Sequence, residues 1–161
     1  MITFVRLISA IRKPDLWGRA KDKFRRKLAM RRYRKMGVKI GKNTTINPCV
    51  TFMDRDMVTI GNDCSISGCV FGTHSGYDRI ASLKLSKKID TRKPITVGNN
   101  TFIGACTAIA AGVTIGNDCI ISLGSVVFDD IPDDSFVRGN PAVVIWKTSE
   151  YLRKLNEKFA L

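Results

Sequence analysis

The chain has 161 residues, which is enough for one domain with a core of its own. No stretch reaches the roughly 20 uncharged apolar residues that a membrane-spanning helix needs, and the first residues, with Arg6 inside their apolar part, match a signal peptide poorly. Five cysteines without C-x-x-C spacing argue against a disulfide framework and against a structural zinc site. We therefore expect a cytoplasmic protein with reduced thiols.

The net charge of +13 is concentrated at one end of the chain. Residues 1–42 hold 15 lysines and arginines against two acids, Asp15 and Asp22, whereas the other residues hold 12 basic and 12 acidic side chains. The sequence therefore describes a neutral body with a basic arm.

Residues 1–37 are predicted to form a basic helical segment. Asp15, after Pro14, suits the N-cap of a helix, and Gly37 suits its C-terminal stop. Apolar residues recur at helical spacing among the cations, at Trp17, Ala20, Phe24 and Leu28, after a shorter set at Ile2, Val5, Ile8 and Ile11. An amphipathic cationic helix suits an anionic membrane surface, with a solvated cap as the alternative. Nucleic acid is not favoured, because no recognised nucleic-acid-binding fold accompanies the segment.

Residues 38–145 repeat an apolar residue every six positions. These residues are Val97, Ile103, Ile109, Ile115, Ile121 and Val127, and the same register holds Ile40, Ile46 and Phe52, then Ile60 and Ile66. If each of these residues is position one of a hexad, the residue at position two is small from residue 97 onwards, and the residue at position five is small or β-branched. Val70 is then position five of the hexad that begins at Ile66.

Period six predicts a triangular coil in which three hexads make one turn. Position one then points inward and stacks on its equivalent in the next coil, while positions two and five lie at the corners, where glycine or asparagine suits a positive φ. Stacked repeats bury a core only between neighbours, so the ends need caps. The two terminal helices would supply them.

The hexads stop after Gly72 and resume after Pro94, which predicts a projecting loop at about 73–96. Loops of this length in a compact fold are usually functional. His74, the only histidine of the chain, lies at its beginning. Residues 146–161 are then predicted to form a C-terminal helix, capped by Thr148 or Ser149, with an apolar stripe of Leu152, Leu155 and Phe159.

The hexads, the Thr73-His74 pair and the closing "GNPA" at Gly139 to Ala142 resemble the hexapeptide-repeat acyltransferases, and among them the small sugar and polysaccharide O-acetyltransferases. The resemblance covers about residues 38–145. It implies an all-β solenoid, a left-handed parallel β-helix, with acetyl-CoA as acyl donor and no metal. It also implies a homotrimer whose active sites lie between two prisms.

The resemblance also implies roles for individual residues. His74 would act as general base on the acceptor hydroxyl, since imidazole exchanges protons near neutral pH. The Ala105 backbone amide would stabilise the oxyanion, and Asn47 and Asp54 match positions near the acceptor sugar. The implied cofactor contacts are Phe102, Gly104, Ala105, Ser122, Gly124 and Ser125. A structural role at a corner suffices to explain Ser122 and Ser125.

Three features depart from the family pattern. The spacing that leads to His74 is a few residues shorter, and Ser75 and Gly76 follow it where many relatives have a second histidine. Asp129 and Val143 replace a lysine and an arginine that can meet the cofactor phosphates. The cations that could take over this role are Arg138 and Lys147.

The sequence favours an O-acetyltransferase that acts on a sugar hydroxyl in cell-surface polysaccharide synthesis. The acceptor would be a glycan or a lipid-linked sugar, and the enzyme would lie in the cytoplasm or at the cytoplasmic face of the membrane. The alternatives are a small-molecule acetyltransferase of the antibiotic type and a β-helix scaffold without catalytic activity. The acceptor, its hydroxyl and the identity of the acyl group stay open.

Overall fold

The computed structural model describes residues 16–159, which form a three-sided prism of short parallel strands together with three helices. The expected cap at Asp15 and the apolar set from Ile2 to Ile11 lie outside the described residues. The helices are α1 (Leu16–Lys35), α2 (Asp78–Leu85) and α3 (Thr148–Phe159), with a 3-10 turn at Arg55–Met57.

The strands form three sheets, one on each side of the prism. Sheet 1 contains β1 (Lys39–Ile40), β4 (Val58–Ile60), β7 (Ile95–Val97) and β10 (Thr114–Ile115). Sheet 2 contains β2 (Thr45–Ile46), β5 (Ser65–Ile66), β8 (Phe102–Ile103), β11 (Ile120–Ile121), β13 (Ser135–Gly139) and β14 (Ala142–Lys147). Sheet 3 contains β3 (Thr51–Phe52), β6 (Val70–Phe71), β9 (Ala108–Ile109) and β12 (Val126–Val127). All pairs are parallel except the β13–β14 hairpin.

The residues at position one form three buried ladders inside the prism. In sheet 1, Ile60 pairs with Ile40 on one side and with Val97 on the other, and Val97 pairs with Ile115. The members of the ladders from Ile60 onwards are at most a few per cent exposed. Removing these aliphatic side chains from water is the main favourable contribution to folding. The predicted triangular coil with an inward aliphatic residue is therefore confirmed.

The register predicted for one hexad is wrong by one residue. Ile66 of β5 and Phe71 of β6 occupy successive inward positions, five residues apart rather than six. Cys69 is therefore buried at the inner corner position, and Val70, which the hexad count placed there, lies on the outer face. The shorter coil side accounts for the difference.

The hexad residues with positive φ lie at position four, and not at positions two and five as expected. Positive φ occurs at position four, at Asn43, Asp63, Asn100, Cys106, Asp118 and Asp134 and at Gly112 and Gly124. The glycines at position two are needed for another reason: a Cβ on Gly98 would lie 2.6 Å from the backbone of Gly116 in the next coil. Small residues at position two therefore allow the coils to approach each other closely.

One corner carries a ladder of stacked amides. Where sheet 1 turns into sheet 2, the Oδ1 of Asn62 accepts a hydrogen bond from the Lys42 amide (2.7 Å), and the Oδ1 of Asn99 accepts from the Asn62 amide (2.8 Å). Asn117 and Asp133 continue the series in the same way, with 2.8 and 2.7 Å. Each exposed backbone N–H at this corner is thus capped by the coil above it.

Helix α1 covers the first end of the prism, as expected of a cap. Its Met30 and Tyr33 belong to the common core, and the Tyr33 ring packs edge-on against Phe52 at 5.1 Å between centroids. The Tyr33 hydroxyl donates to the Pro48 carbonyl at 3.0 Å. Phe24 and Leu28, the members of the predicted apolar stripe whose side chains are described, are exposed and do not belong to the packed face.

No helix in residues 16–159 combines the length and apolar character that crossing a membrane requires.

Helix α3 packs beside the prism and does not close its end. Tyr151 contacts Phe136, with ring centroids 4.3 Å apart, and stacks on Trp146 on the outer face of sheet 2. The expected cap at Thr148 or Ser149 is replaced by Asp134, whose carboxylate accepts from the Ser149 amide (2.8 Å) and hydroxyl (2.7 Å). A carboxylate from an earlier corner therefore fixes the start of α3.

We predict that Gly98→Ala destabilises the protein by about 1–3 kcal/mol, because the new methyl group would overpack the backbone of the next coil. The matched control is Gly76→Ala, whose Cβ would meet nothing within 4 Å and should change stability by less than about 0.5 kcal/mol. Urea unfolding followed by circular dichroism measures both. Equal stability of the two variants would contradict the close-approach role of position two.

Candidate active site

His74 lies beside a carboxylate at the corner where sheet 3 turns into sheet 1. Its Nδ1 is 2.7 Å from Oδ2 of Asp54. The Thr73 hydroxyl donates to the same Oδ2 at 2.6 Å, and the Asp54 amide donates to the Thr73 hydroxyl at 2.9 Å. The imidazole is about two-fifths exposed, at 38%, so it is both held and accessible.

Coil stacking brings these three residues together across about twenty positions of sequence. Strands β3 and β6 pair in register, with Phe52 opposite Phe71. Both strands are followed by the same corner, so Asp54 stands beside Thr73 and His74. We expected Asp54 near the acceptor sugar; in the structure its carboxylate is bonded to His74 and Thr73. The sequence signal for this pairing is their separation by about one coil.

The hydrogen bonds to Asp54 favour its charged form. The Thr73 hydroxyl bond, followed by the His74 bond, lowers the pKa of Asp54 below its ordinary value. Ionised Asp54 accepts the Nδ1–H, which leaves Nε2 of His74 free to take a proton. A lowered carboxyl pKa stabilises the fold above the ordinary carboxyl range, and this contribution is lost as pH falls through the lowered value.

The inserted segment between β6 and β7 is closed at its base next to His74. The Thr73 carbonyl accepts from the Lys93 amide at 2.8 Å, and the Ser75 amide donates to the Thr91 hydroxyl at 2.9 Å. The Thr91 hydroxyl in turn donates to Asp78 at the start of α2. The insertion spans 72–94, since β7 already begins at Ile95, and the sequence did not predict its helix. His74 thus lies at a clamped junction rather than on a free loop.

The corner where sheet 2 turns into sheet 3 exposes backbone donors. Ala105 is exposed, and within residues 16–159 its amide has no hydrogen-bond acceptor, unlike the amides capped by the ladder at the first corner. Asn47, Ser67, Gly104 and Ser122 form the position-two column of this corner, one in each coil. An unpaired, pre-oriented N–H is what an oxyanion requires.

The other predicted cofactor contacts divide into surface and interior residues. Phe102 lies on the outer face of sheet 2 and is 40% exposed, and Gly124 is exposed at φ +70°. Gly104 is required by packing, because a Cβ there would lie 2.5 Å from the Leu123 amide nitrogen. Ser125 is fully buried, and its hydroxyl donates to the Ser122 carbonyl at 2.7 Å. Ser125 therefore supports the corner and offers no surface to a ligand.

The two candidate cations occupy different edges of the prism. Val137 pairs with Ile121, so Arg138 extends the column of Gly104 and Ser122 by one coil. Lys147 pairs with Ser135 at the opposite edge of sheet 2, where it lowers the pKa of Asp134 together with the Ser149 bonds, which are the larger cause. The structure therefore places Arg138, and not Lys147, on the corner that carries Ala105.

His74 and Ala105 stand on different corners of the same chain, with sheet 3 between them. A single protomer therefore does not bring the predicted base and the predicted oxyanion donor together.

The cysteines give no alternative nucleophile inside the prism. Cys64, Cys69 and Cys119 are buried, and burial raises the pKa of each thiol, for Cys69 to about 12. A thiol in this state stays protonated at neutral pH.

Comparison with known proteins identifies similar sequences and folds. Residues 94–129 match the family described as bacterial transferase hexapeptide, with six repeats. The galactoside O-acetyltransferase of Escherichia coli strain K12 is 36% identical over 108 residues, which are 67% of this chain and 53% of that protein.

Solved structures show the same fold. The hexapeptide-repeat acetyltransferase VCA0836 of Vibrio cholerae O1 biovar eltor, complexed with acetyl coenzyme A, has a TM-score of 0.61 at 32% identity and covers 70% of this chain and 61% of that chain. The polySia-specific acetyltransferase NeuO has a TM-score of 0.59 at 29% identity, over 73% of this chain and 63% of that chain.

These similarities confirm the resemblance to hexapeptide-repeat proteins and the left-handed parallel β-helix that it implied. The chain spans about half the length of the curated relatives it matches, 55% and 53% for two of them.

We predict that His74 is protonated at Nδ1 and bare at Nε2 when neutral, because ionised Asp54 accepts only from Nδ1. Nitrogen NMR of tag-free, ¹⁵N-histidine-labelled protein tests this without ambiguity, since the chain has a single histidine. In Asp54→Ala the preference should shift toward the Nε2–H tautomer that predominates in free imidazole side chains. An Nε2–H tautomer in the unmodified protein would contradict the pairing.

Proposed function

We propose that this hexapeptide-repeat protein is an O-acetyltransferase that transfers an acetyl group from acetyl-CoA to a sugar hydroxyl, in cell-surface polysaccharide synthesis. The observation that carries the proposal is the 2.7 Å contact between Nδ1 of His74 and Asp54, with the imidazole 38% exposed at the junction of the inserted segment. Support comes from similar proteins that are O-acetyltransferases or bind acetyl-CoA.

The residues fit a direct transfer. Acetyl-CoA supplies the thioester carbonyl to which the acceptor oxygen adds, with the CoA thiolate as leaving group. Nε2 of His74 removes the proton from the acceptor hydroxyl as its oxygen attacks, and Asp54 stabilises the imidazolium that results. The Ala105 N–H donates to the carbonyl oxygen as negative charge develops on it. The proton on Nε2 is then available to the departing thiolate.

The corner with Ala105 has the properties that a cofactor groove needs. Phe102 offers an exposed aromatic face, and Gly124 leaves open space beside the backbone. Arg138 places a guanidinium one coil above Ser122, where it would meet the cofactor phosphates. Asp129, the acid that replaces a basic residue of the family pattern, follows β12 and belongs to the His74 corner of its own chain.

The active unit in this proposal is a homotrimer. The base and the oxyanion donor lie on different corners of one chain, so each active site would take His74 and Asp54 from one protomer and Ala105 from its neighbour. Relatives of this family are typically trimeric, which supports the arrangement.

The outer face of α1 suits the surface of an anionic membrane, where lipid-linked sugars are presented. Phe24 is 68% and Leu28 58% exposed, and Arg31 and Lys35 flank them on the same side of the helix. Apolar insertion and attraction to anionic lipid reinforce each other on such a face.

We predict that the protein binds vesicles of phosphatidylcholine with phosphatidylserine better than vesicles of phosphatidylcholine alone. Replacing Phe24 and Leu28 by serine should weaken binding to the vesicles by about tenfold or more, because two apolar side chains that would insert into the membrane are lost. Leu83→Ser, at an exposed leucine of α2, is the control in a co-sedimentation assay. Equal binding to both vesicle types would leave α1 as a solvated cap.

Two other functions compete with the proposal. A small-molecule acetyltransferase of the antibiotic type would use the same base and donor groove, and it is distinguished by its acceptors. A scaffold without catalytic activity would have no use for the His74–Asp54 pair, and it would keep its function in His74→Ala.

We predict that His74→Ala lowers kcat by about 10²–10⁴-fold with little change in the KM for acetyl-CoA, since the general base is lost while the donor groove is intact. Asp54→Asn should lower kcat less, because the imidazole remains but its orientation does not. The readout is thiol release from acetyl-CoA with a panel of methyl glycosides and sialic acid oligomers.

Asp56→Asn is the matched control, since Asp56 is exposed in the 3-10 turn that follows Asp54 and has no hydrogen bond to His74. Equal activity of His74→Ala and the unmodified protein would refute the role of His74.

A further inference from the structure

We propose that the acceptor carries an anionic group, a phosphate or a carboxylate, and that Arg26 and Arg25 of α1 bind it next to Asn47. This inference deepens the proposed function and rests on it for the identity of the acceptor. It concerns the corner that carries Ala105, at the end nearest α1.

Two adjoining cavities lie between α1 and the first two coils. One, of about 230 Å³, is lined by Arg25, Arg26, Asn47, Pro48 and Cys49. The other, of about 60 Å³, is lined by Arg26 and Asn47 together with Thr45, Ser65, Ser67 and inward isoleucines. Because a water occupies about 30 Å³ in the liquid, the larger cavity accepts a group several times the size of water.

Arg26 is exposed and lies at the end of the packed stripe of α1. Arg26, Met30 and Tyr33 follow one another at helical spacing, so Arg26 continues the stripe that packs on the prism. Where that stripe passes the edge of the core, a guanidinium stands in place of an apolar side chain. The arginines of the outer face, such as Arg31, do not line these cavities.

The chemistry of the lining selects an anion. Every described residue that lines the two cavities is neutral or cationic. Asn47 accepts the Cys49 amide through Oδ1 at 2.9 Å, so its Nδ2 remains a donor. Two guanidinium groups, an amide NH₂ and hydroxyl groups make a set of donors that suits phosphate or carboxylate oxygens.

The spacing fits an acceptor that reaches the reaction centre. Asn47 and Gly104 belong to the same column, two coils apart, or about 10 Å at the usual strand spacing. His74 belongs to the intermediate coil of a neighbouring protomer in the proposed trimer. An anionic group held at Arg26 therefore places a hydroxyl about two sugar residues away at the level of Ala105, and about one sugar residue away at the intermediate level of His74.

Calorimetric titration of galactose 1-phosphate, galacturonate and methyl galactoside into the full-length protein tests this site directly. We expect saturable binding of galactose 1-phosphate or galacturonate, weakened about tenfold or more in Arg26→Gln, as expected for loss of a charge-assisted hydrogen bond. Arg31→Gln removes the same charge from the outer face of α1 and should bind as the unmodified protein does. Methyl galactoside should bind more weakly than either anion.

The two anionic probes identify the source of the charge. Preference for galactose 1-phosphate indicates a phosphorylated or diphosphate-linked acceptor, whereas preference for galacturonate indicates an acidic sugar. Absence of saturable binding at millimolar concentration, or equal weakening by Arg26→Gln and Arg31→Gln, overturns the proposal.

Acetyl-CoA binding and thiol release, measured on the same preparations, separate this inference from the proposed function. Anion binding that depends on Arg26 without any binding of acetyl-CoA would reject the acetyltransferase and keep the site. If acetyl transfer to methyl galactoside is unchanged in Arg26→Gln and neither anion is preferred, the acetyltransferase is kept and the anion site is rejected.

Discussion

Close stacking of one coil on the next is the constraint on which the rest of this structure depends. Ladders such as Ile60, Val97 and Ile115 bury their side chains only because successive coils are in register. The backbones come so near each other at position two that a Cβ on Gly98 would overlap the next coil. The same register sets Asp54 against Thr73 and His74, since these residues follow paired strands. The candidate base is therefore positioned by the core and not by the loop that it begins.

The three corners of the prism have separate tasks. At the first corner, where sheet 1 turns into sheet 2, stacked asparagines accept hydrogen bonds from the backbone amides, so these amides are not available to a ligand. At the second, the Ala105 amide is uncapped, and the column that contains Gly104 is continued by Arg138 at one end and approached by Arg26 at the other. The third corner bears the His74–Asp54 pair and the clamped insertion. Catalysis in this account requires that the second corner of one chain meets the third corner of another.

Much of the fold was predictable because period six is a strong local signal, and the inward residues could be named one by one. The sequence pattern failed where a long-range contact decides the outcome. The one-residue slip at Val70, the capping of α3 by Asp134 and the packing of α1 through Met30 and Tyr33 all depend on partners distant in sequence. The sequence indicates His74 as the candidate base through the Thr73-His74 pair and its place before the insertion. The bond between Asp54 and His74 was missed, because it becomes visible only when coils are stacked.

Binding of acetyl-CoA at the corner that carries Ala105 can be tested by thermal unfolding with the ligand, without knowledge of the acceptor. A ligand that binds only the folded state raises the unfolding midpoint. We expect the midpoint to rise with acetyl-CoA and with plain CoA, to rise equally in His74→Ala, and to rise less in Arg138→Gln. No rise at millimolar acetyl-CoA would contradict the acetyltransferase hypothesis and favour a scaffold without catalytic activity.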